Sequence, residues 1–232
     1  MTKFTTPRAA FWAGVREFLP IVLGVIPFGI VFGVAATDIG ITPLEGIWMS
    51  MIMVAGAAQL VTIELLKNDA ALWVILLSAT IVNLRFVIYS ASLTPYFRPY
   101  SLWWRLGLGY LLTDQPYALS IAYFAENPDA PHKQWYHLGH SMMLWTSWVI
   151  SSALGVFLGE FIPLSWGFSF AIPLMFLGIA IPAIKDWTFV AAASVASLVA
   201  LLAAPLPNNT GLLVAVACGI AVGVLLGDDE TS

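Results

Sequence analysis

The stretch AALWVILLSATIVNLRFVIYSASLTP, residues 70–95, decides how the chain is read. It is long enough to cross a bilayer, which takes about 20 apolar residues, yet Asn83 and Arg85 sit near its middle. An arginine at the centre of a membrane helix costs about 2.5–3.5 kcal/mol on insertion scales. It is tolerated where it faces a wet cavity, an acid or exposed carbonyls, which favours a transport pathway. Helical spacing puts Ser78, Arg85, Tyr89 and Ser92 on one polar stripe and Thr80, Asn83, Ser90 and Thr94 on another. Positions 83 and 85 face nearly opposite ways. One stripe must therefore meet a neighbouring helix, or the helix must unwind there. The competing reading is a buried ion pair through which Arg85 only pins helices together.

Composition fixes the class. The 232 residues are 60% hydrophobic and only 9% charged, with a mean hydropathy of +0.89, against about 25% charged residues in soluble domains. The expected fold is an all-α integral membrane protein, a polytopic bundle of seven or eight transmembrane helices, some broken by proline or glycine. Long apolar runs, rather than alternating strands of about ten residues, argue against a β-barrel. Nothing in the charge pattern points to nucleic acid. The one cysteine, Cys218, lies in an apolar run, so neither a disulfide framework nor a thiolate metal site is expected. The organisation reads as a cytoplasmic amino-terminal segment (1–17), one transmembrane transporter domain (18–227) and a short acidic tail (228–232).

Along the chain, Lys3, Arg8 and Arg16 precede a first apolar segment at 18–37, a basic flank of the cytoplasmic type. Its length and Pro20 and Pro27 speak against a cleaved signal. Pro27 cannot donate to the carbonyl of Leu23, which leaves an acceptor for water or a ligand. Gly29 and Gly33 form a GxxxG face. The second segment, 46–66, contains Val54-Ala55-Gly56-Ala57-Ala58-Gln59, whose small residues suit close approach or an irregular turn at membrane depth. Gln59 then reads either as a ligand amide or as interhelical glue. The fourth, 106–124, holds Thr113-Asp114-Gln115-Pro116, with Asp114 the one acid well inside an apolar segment and Tyr110 and Tyr117 on its face. Pro116 would free the carbonyl of Leu112. A carboxyl at membrane depth either takes up a proton or stays ionised beside a cation such as Arg85. His137 and His140 open the fifth segment and read as interfacial residues rather than metal ligands, and Gly155 and Gly159 look like a packing face. The sixth, 164–184, carries Pro173 and Pro182 and echoes the first, which suggests an inverted repeat. Segments 187–204 and 209–227 are apolar, and Gly219, Gly223 and Gly227 repeat the GxxxG spacing. Basic loop residues leave seven and eight spans equally open.

Four runs, taken in order, resemble the AzlC family: LPIVLGVIPFGIVFG at 19–33, AGAAQL at 55–60, NLRFVIYSASL at 83–93 and LLTDQPYAL at 111–119. The resemblance spans about residues 16–227. It implies the large subunit of a two-component exporter of branched-chain amino acids in the cytoplasmic (inner) membrane, paired with a small AzlD-type membrane subunit. Relatives often carry histidine where Phe86 stands and a second acid where Gln115 stands, so a proton relay through those two positions cannot operate here. The expected substrate-binding set is Arg85 for the carboxylate, Asp114 and carbonyls freed by Pro27 or Pro116 for the ammonium, and Gln59, Asn83 and Tyr89 for neutral hydrogen bonds. Asp114 is also the expected proton-coupling residue. No metal, cofactor or enzymatic role is expected. The rivals are a carrier or channel for another small solute, an intramembrane enzyme built on His137, His140 or Asp114, and a purely structural subunit.

Overall fold

The computed structural model describes residues 5–159, 161, 186–206 and 210–227. Their regular structure is all helical, with no strand among the described residues. Helix α1 spans Pro7–Asp38. Thr6 caps it, its side chain accepting from the Ala9 N–H at 3.2 Å, and Pro7 starts it where a missing N–H costs nothing. Then come α2 (Pro43–Ile52), α3 (Gly56–Lys67), α4 (Leu72–Asn83), α5 (Arg85–Phe97), α6 (Leu102–Tyr110), α7 (Asp114–Glu126) and α8 (Lys133–Gly159). Helices Trp187–Leu202 and Thr210–Gly227 follow.

Among the described residues, three apolar helical stretches have the length to cross a membrane: Pro7–Asp38, Leu72–Phe97 and Lys133–Gly159. Their outer surfaces carry exposed Leu23, Leu72 and Leu76, while Gln59, Ser120, His137 and His140 are fully buried. Apolar outside and polar inside is the arrangement that suits a lipid environment. The sixth segment, with Pro173 and Pro182, lies outside the described residues, and with it the repeat it was expected to form.

Two expected spans are not continuous helices. The second breaks at residues 53–55 into α2 and α3, and the fourth at 111–113 into α6 and α7. Pro116 therefore does not kink a continuous helix. It stands in the first turn of α7, where its lack of an N–H removes no intrahelical bond. The 70–95 stretch keeps its course between α4 and α5. Leu84 stays right-handed helical (φ −55°, ψ −28°) and its carbonyl accepts from Val87, one residue tighter than an α-helical bond.

The chain divides into two compact units, Met1–Gln59 with Val82–Trp166 and Leu60–Ile81 with Gly167–Ser232. In the first, α1 and α8 meet along glycines. A Cβ on Gly33 would lie 2.3 Å from the Ser152 carbonyl oxygen, and one on Gly155 2.2 Å from that of Ile30. The expected GxxxG faces are thus contact faces, and Thr37 ties them by donating to the Val156 carbonyl at 3.2 Å. The rest of that core joins α5, α6, α7 and α8 through Leu93, Phe97, Leu108, Leu112, Phe124 and Tyr136. In the second unit, Leu65, Val74 and Ile75 pack with Leu213. There a Cβ on Gly219 would sit 3.0 Å from the Ala196 methyl, so the helices Trp187–Leu202 and Thr210–Gly227 are close neighbours.

Candidate functional site

The site is built where α5 and α7 begin. Arg85 opens α5 and Asp114 opens α7. Thr113 is extended before the helix (φ −144°, ψ 174°), so Asp114 stands in the first turn, where the helix dipole favours a carboxylate. The Arg85 guanidinium lies 3.2 Å from Asp114 Oδ2, and the two side chains are 30% and 37% exposed. Tyr89, one turn along α5, donates its hydroxyl to the other oxygen, Oδ1, at 3.0 Å. Its ring stacks on Tyr117 from α7, with centroids 4.1 Å apart and planes at 9°. Arg85, Tyr89, Asp114 and Tyr117 therefore form one cluster, held rigid by an ion pair, a charge-assisted hydrogen bond and an aromatic stack.

The cluster is polar but not saturated. Arg85 Nε and Asn83 Oδ1 are both buried with no hydrogen-bond partner. Buried polar groups are normally paired, so the guanidinium donor left over in the ion pair marks a place where a polar ligand would be satisfied. The cluster supplies cation, carboxylate and a spare donor together, while Asn83 lies two residues away on another face of the same helical stretch.

Other expected site residues are placed elsewhere. Gln59 is fully buried; its Oε1 accepts from Trp148 Nε1 at 3.0 Å and its Nε2 reaches Ser50 Oγ at 3.5 Å. Its amide ties the start of α3 to α2 and α8, and Gly56 leaves room for the Trp148 ring, which a Cβ there would meet at 2.6 Å. Pro27 is exposed on α1, and no hydrogen bond or ion pair joins it to the Arg85–Asp114 cluster. Tyr110 does not share a helix face with Asp114, because the break at 111–113 separates them. Its hydroxyl instead donates to the Met51 carbonyl, which also accepts from Trp145 Nε1 at 3.3 Å. Those two donors satisfy a carbonyl that the break in the second span strips of its helical partner.

His137 and His140 are completely buried within the protein. Ser120 Oγ lies 2.8 Å from His137 Nδ1 and 3.3 Å from His140 Nδ1. Nor is Asp114 the one helical acid that matters, because α1 extends back to Pro7 and places Glu17 against α8, where Tyr136 donates its hydroxyl to Glu17 Oε2. Sequence reasoning missed this cluster. Its signal was the pair of histidines at i and i+3, dismissed because no acid lies near them in sequence.

Comparison with known proteins gives the family. The family model described as AzlC protein matches residues 20–162. Among curated relatives, inner membrane protein YgaZ of Escherichia coli K12 is 28% identical over 229 residues, covering 94% of this chain and 91% of the relative. An uncharacterized membrane protein of Archaeoglobus fulgidus is 29% identical, covering 76% of this chain and 77% of its own. The branched-chain amino acid transport protein AzlC of Bacillus subtilis is 25% identical, covering 75% and 69%. No solved structure matches. The family match spans well over half of the chain and takes in both α5 and α7: this protein belongs to the AzlC family.

Proposed function

We propose that this chain is the large subunit of a proton-coupled exporter of branched-chain and similar hydrophobic amino acids, working in the cytoplasmic membrane with a small AzlD-type partner and its amino terminus inside. The observation that carries the reading is the Arg85–Asp114 pair at 3.2 Å with the Arg85 Nε left unpartnered. A zwitterion entering such a pair exchanges one ion pair for two. Its carboxylate takes the guanidinium, and its ammonium takes Asp114. Charge is conserved inside the site, so the desolvation cost of the separated ions is offset by the new pairs. The Tyr89–Tyr117 stack and Phe86, whose ring lies 6.1 Å from that of Tyr89, give an apolar wall for an aliphatic side chain. Gln59 ties the start of α3 to α2 and α8 beside the break in the second span.

Proton coupling follows from the same pair. A proton on Asp114 cancels its charge, releases the ammonium and leaves Arg85 free, so substrate and proton compete for one carboxylate. The test is transport by the full chain with its small partner in proteoliposomes, comparing valine counterflow with accumulation driven by a pH gradient. Removing one partner of a desolvated pair costs about 2–5 kcal/mol; with both groups a third exposed we expect about 1.4 kcal/mol, or roughly tenfold. Asp114→Asn should lower gradient-driven accumulation by that factor and flatten its pH dependence. Transport by Asp114→Asn equal to wild type at every pH would sink the coupling role.

A further inference from the structure

A second set of titratable groups lies in the core outside the Arg85–Asp114 cluster. Ser120 of α7 bridges the Nδ1 atoms of His137 and His140 on α8, at 2.8 and 3.3 Å. His140 Nε2 lies 3.9 Å from Glu17 Oε2 on α1, and Tyr136 holds that carboxylate by its hydroxyl. All three of Ser120, His137 and His140 are fully buried, whereas the Glu17 side chain is 39% exposed. At the other end, His137 lines a cavity of about 250 Å³ between α5 and α6, together with Ser90, Thr94 and Arg105. That volume holds several waters at about 30 Å³ each.

A satisfied core histidine would have both ring nitrogens paired. Here the Nε2 atoms of both rings are buried without a hydrogen-bond partner, against the usual rule for buried polar atoms. The open Nε2 of His140 sits toward Glu17, and at the other end of the Ser120 bridge the His137 ring borders the cavity. We propose that His137, Ser120, His140 and Glu17 form a proton relay, separate from Asp114, that joins the α5–α6 cavity to the Glu17 carboxylate.

The proton balance closes at each link. A proton from cavity water bonds to the vacant Nε2 of His137, and the Nδ1–H of that ring passes to Ser120 Oγ. The serine hydroxyl hydrogen passes to His140 Nδ1, and the Nε2–H of His140 passes to Glu17. One proton enters and one leaves; rotation of the serine hydroxyl and tautomer exchange in both rings reset the chain. Proton transfer needs about 2.6–3.2 Å or one intervening water, so the Ser120–His140 link closes by a slight shift and the Glu17 link by a larger shift or a water. The groups facing the rings are Glu17 and Phe18 from α1, Phe97 from α5, the Pro116 backbone and Ser120 from α7 and Tyr136 on α8, and Arg105 of α6 lines the same cavity. Glu17 is the acceptor among them.

Hydrogen–deuterium exchange at the ring N–H groups tests the relay without any substrate, so its failure is separate from failure of the amino-acid reading. Full-length protein with 15N-labelled histidine is placed in nanodiscs and moved to D2O; substitution of each of the three histidines by glutamine assigns the signals. In the wild type both buried rings should exchange readily. Glu17→Gln closes one end, and His140 should still exchange through Ser120 and the cavity. Adding Ser120→Ala to Glu17→Gln should slow His140 by roughly a hundredfold, the low end of what a positioned acid–base group contributes, with His137 unaffected. An unchanged His140 rate in the double variant overturns the relay. So does a His140 N–H that survives for hours in the wild type, or one already fully slowed by Glu17→Gln alone.

Discussion

Two identical chemical changes should have opposite signs, Gly155→Ala and Gly24→Ala. At Gly155 the new Cβ would lie 2.2 Å from the Ile30 carbonyl oxygen and 2.7 and 2.8 Å from its Cα and carbonyl carbon. Ordinary contact begins near 3.4 Å, so α8 and α1 must part by about 1 Å. The atoms in the way are backbone and cannot rotate aside. A gap of that size forfeits a quarter to a half of each neighbouring dispersion contact, along a seam that includes Ser151, Ser152 and Val156. Overpacking usually costs about 1–3 kcal/mol, and a backbone clash belongs at the upper end, about 3 kcal/mol. For a chain of this size that lowers the thermal midpoint by roughly 6–12 °C. A Cβ at Gly24 meets nothing within 4 Å, and there alanine gains up to about 1 kcal/mol of helix propensity. Thermal unfolding of the two variants in one detergent, followed by tryptophan fluorescence, reads the difference. Equal midpoints would refute the glycine seam between α1 and α8.

Two further predictions concern the cluster and the rim. Tyr89→Phe keeps the stack on Tyr117 but removes the hydroxyl donated to Asp114 at 3.0 Å. A partly exposed charge-assisted bond is worth about 1 kcal/mol, so apparent valine affinity in counterflow should weaken roughly fivefold; unchanged affinity would remove Tyr89 from the site. Outside the apolar segment, Glu45 closes a capping box with Thr42, accepting from its hydroxyl at 2.7 Å and its N–H at 2.9 Å. The hydroxyl bond first, then the backbone bond, holds the Glu45 carboxyl below its usual range. Because the folded value is depressed, the stabilisation is present above the unfolded value of about 4.3 and disappears as pH falls through the folded value. The midpoint difference between wild type and Glu45→Gln should therefore shrink on acidification through that window, and a difference that grew would contradict the box.

The pairing of Arg85 with Asp114 was legible because both are rare charges inside apolar runs, and helical spacing put Tyr89 beside Arg85. The glycine seam was legible for the same reason, since Gly29, Gly33, Gly155 and Gly159 recur at one-turn spacing. The start of α7 was not read, although Thr113-Asp114-Gln115-Pro116 carries a cap residue, an acid and a first-turn proline, the ordinary marks of a helix start. Averaged hydropathy hid it, because the flanking residues are apolar on both sides. The burial of His137 and His140 was not legible for a different reason. It comes from packing against Phe18, Phe97 and Ser120 on other helices, and no local pattern pairs these with the histidines. Gln59 illustrates the limit from the other side: its partner Trp148 lies on α8, and no local pattern pairs the two.

The central claim is that the Arg85–Asp114 cluster carries a zwitterionic aliphatic amino acid outward. The direct measurement is valine efflux from cells loaded with valine-containing dipeptide, with this chain and its small partner expressed together and both quantified in the membrane. The account predicts efflux faster than in cells lacking the pair, and a return to that background with Arg85→Ala. Efflux no faster than background with both subunits present, or undiminished by Arg85→Ala, would contradict it.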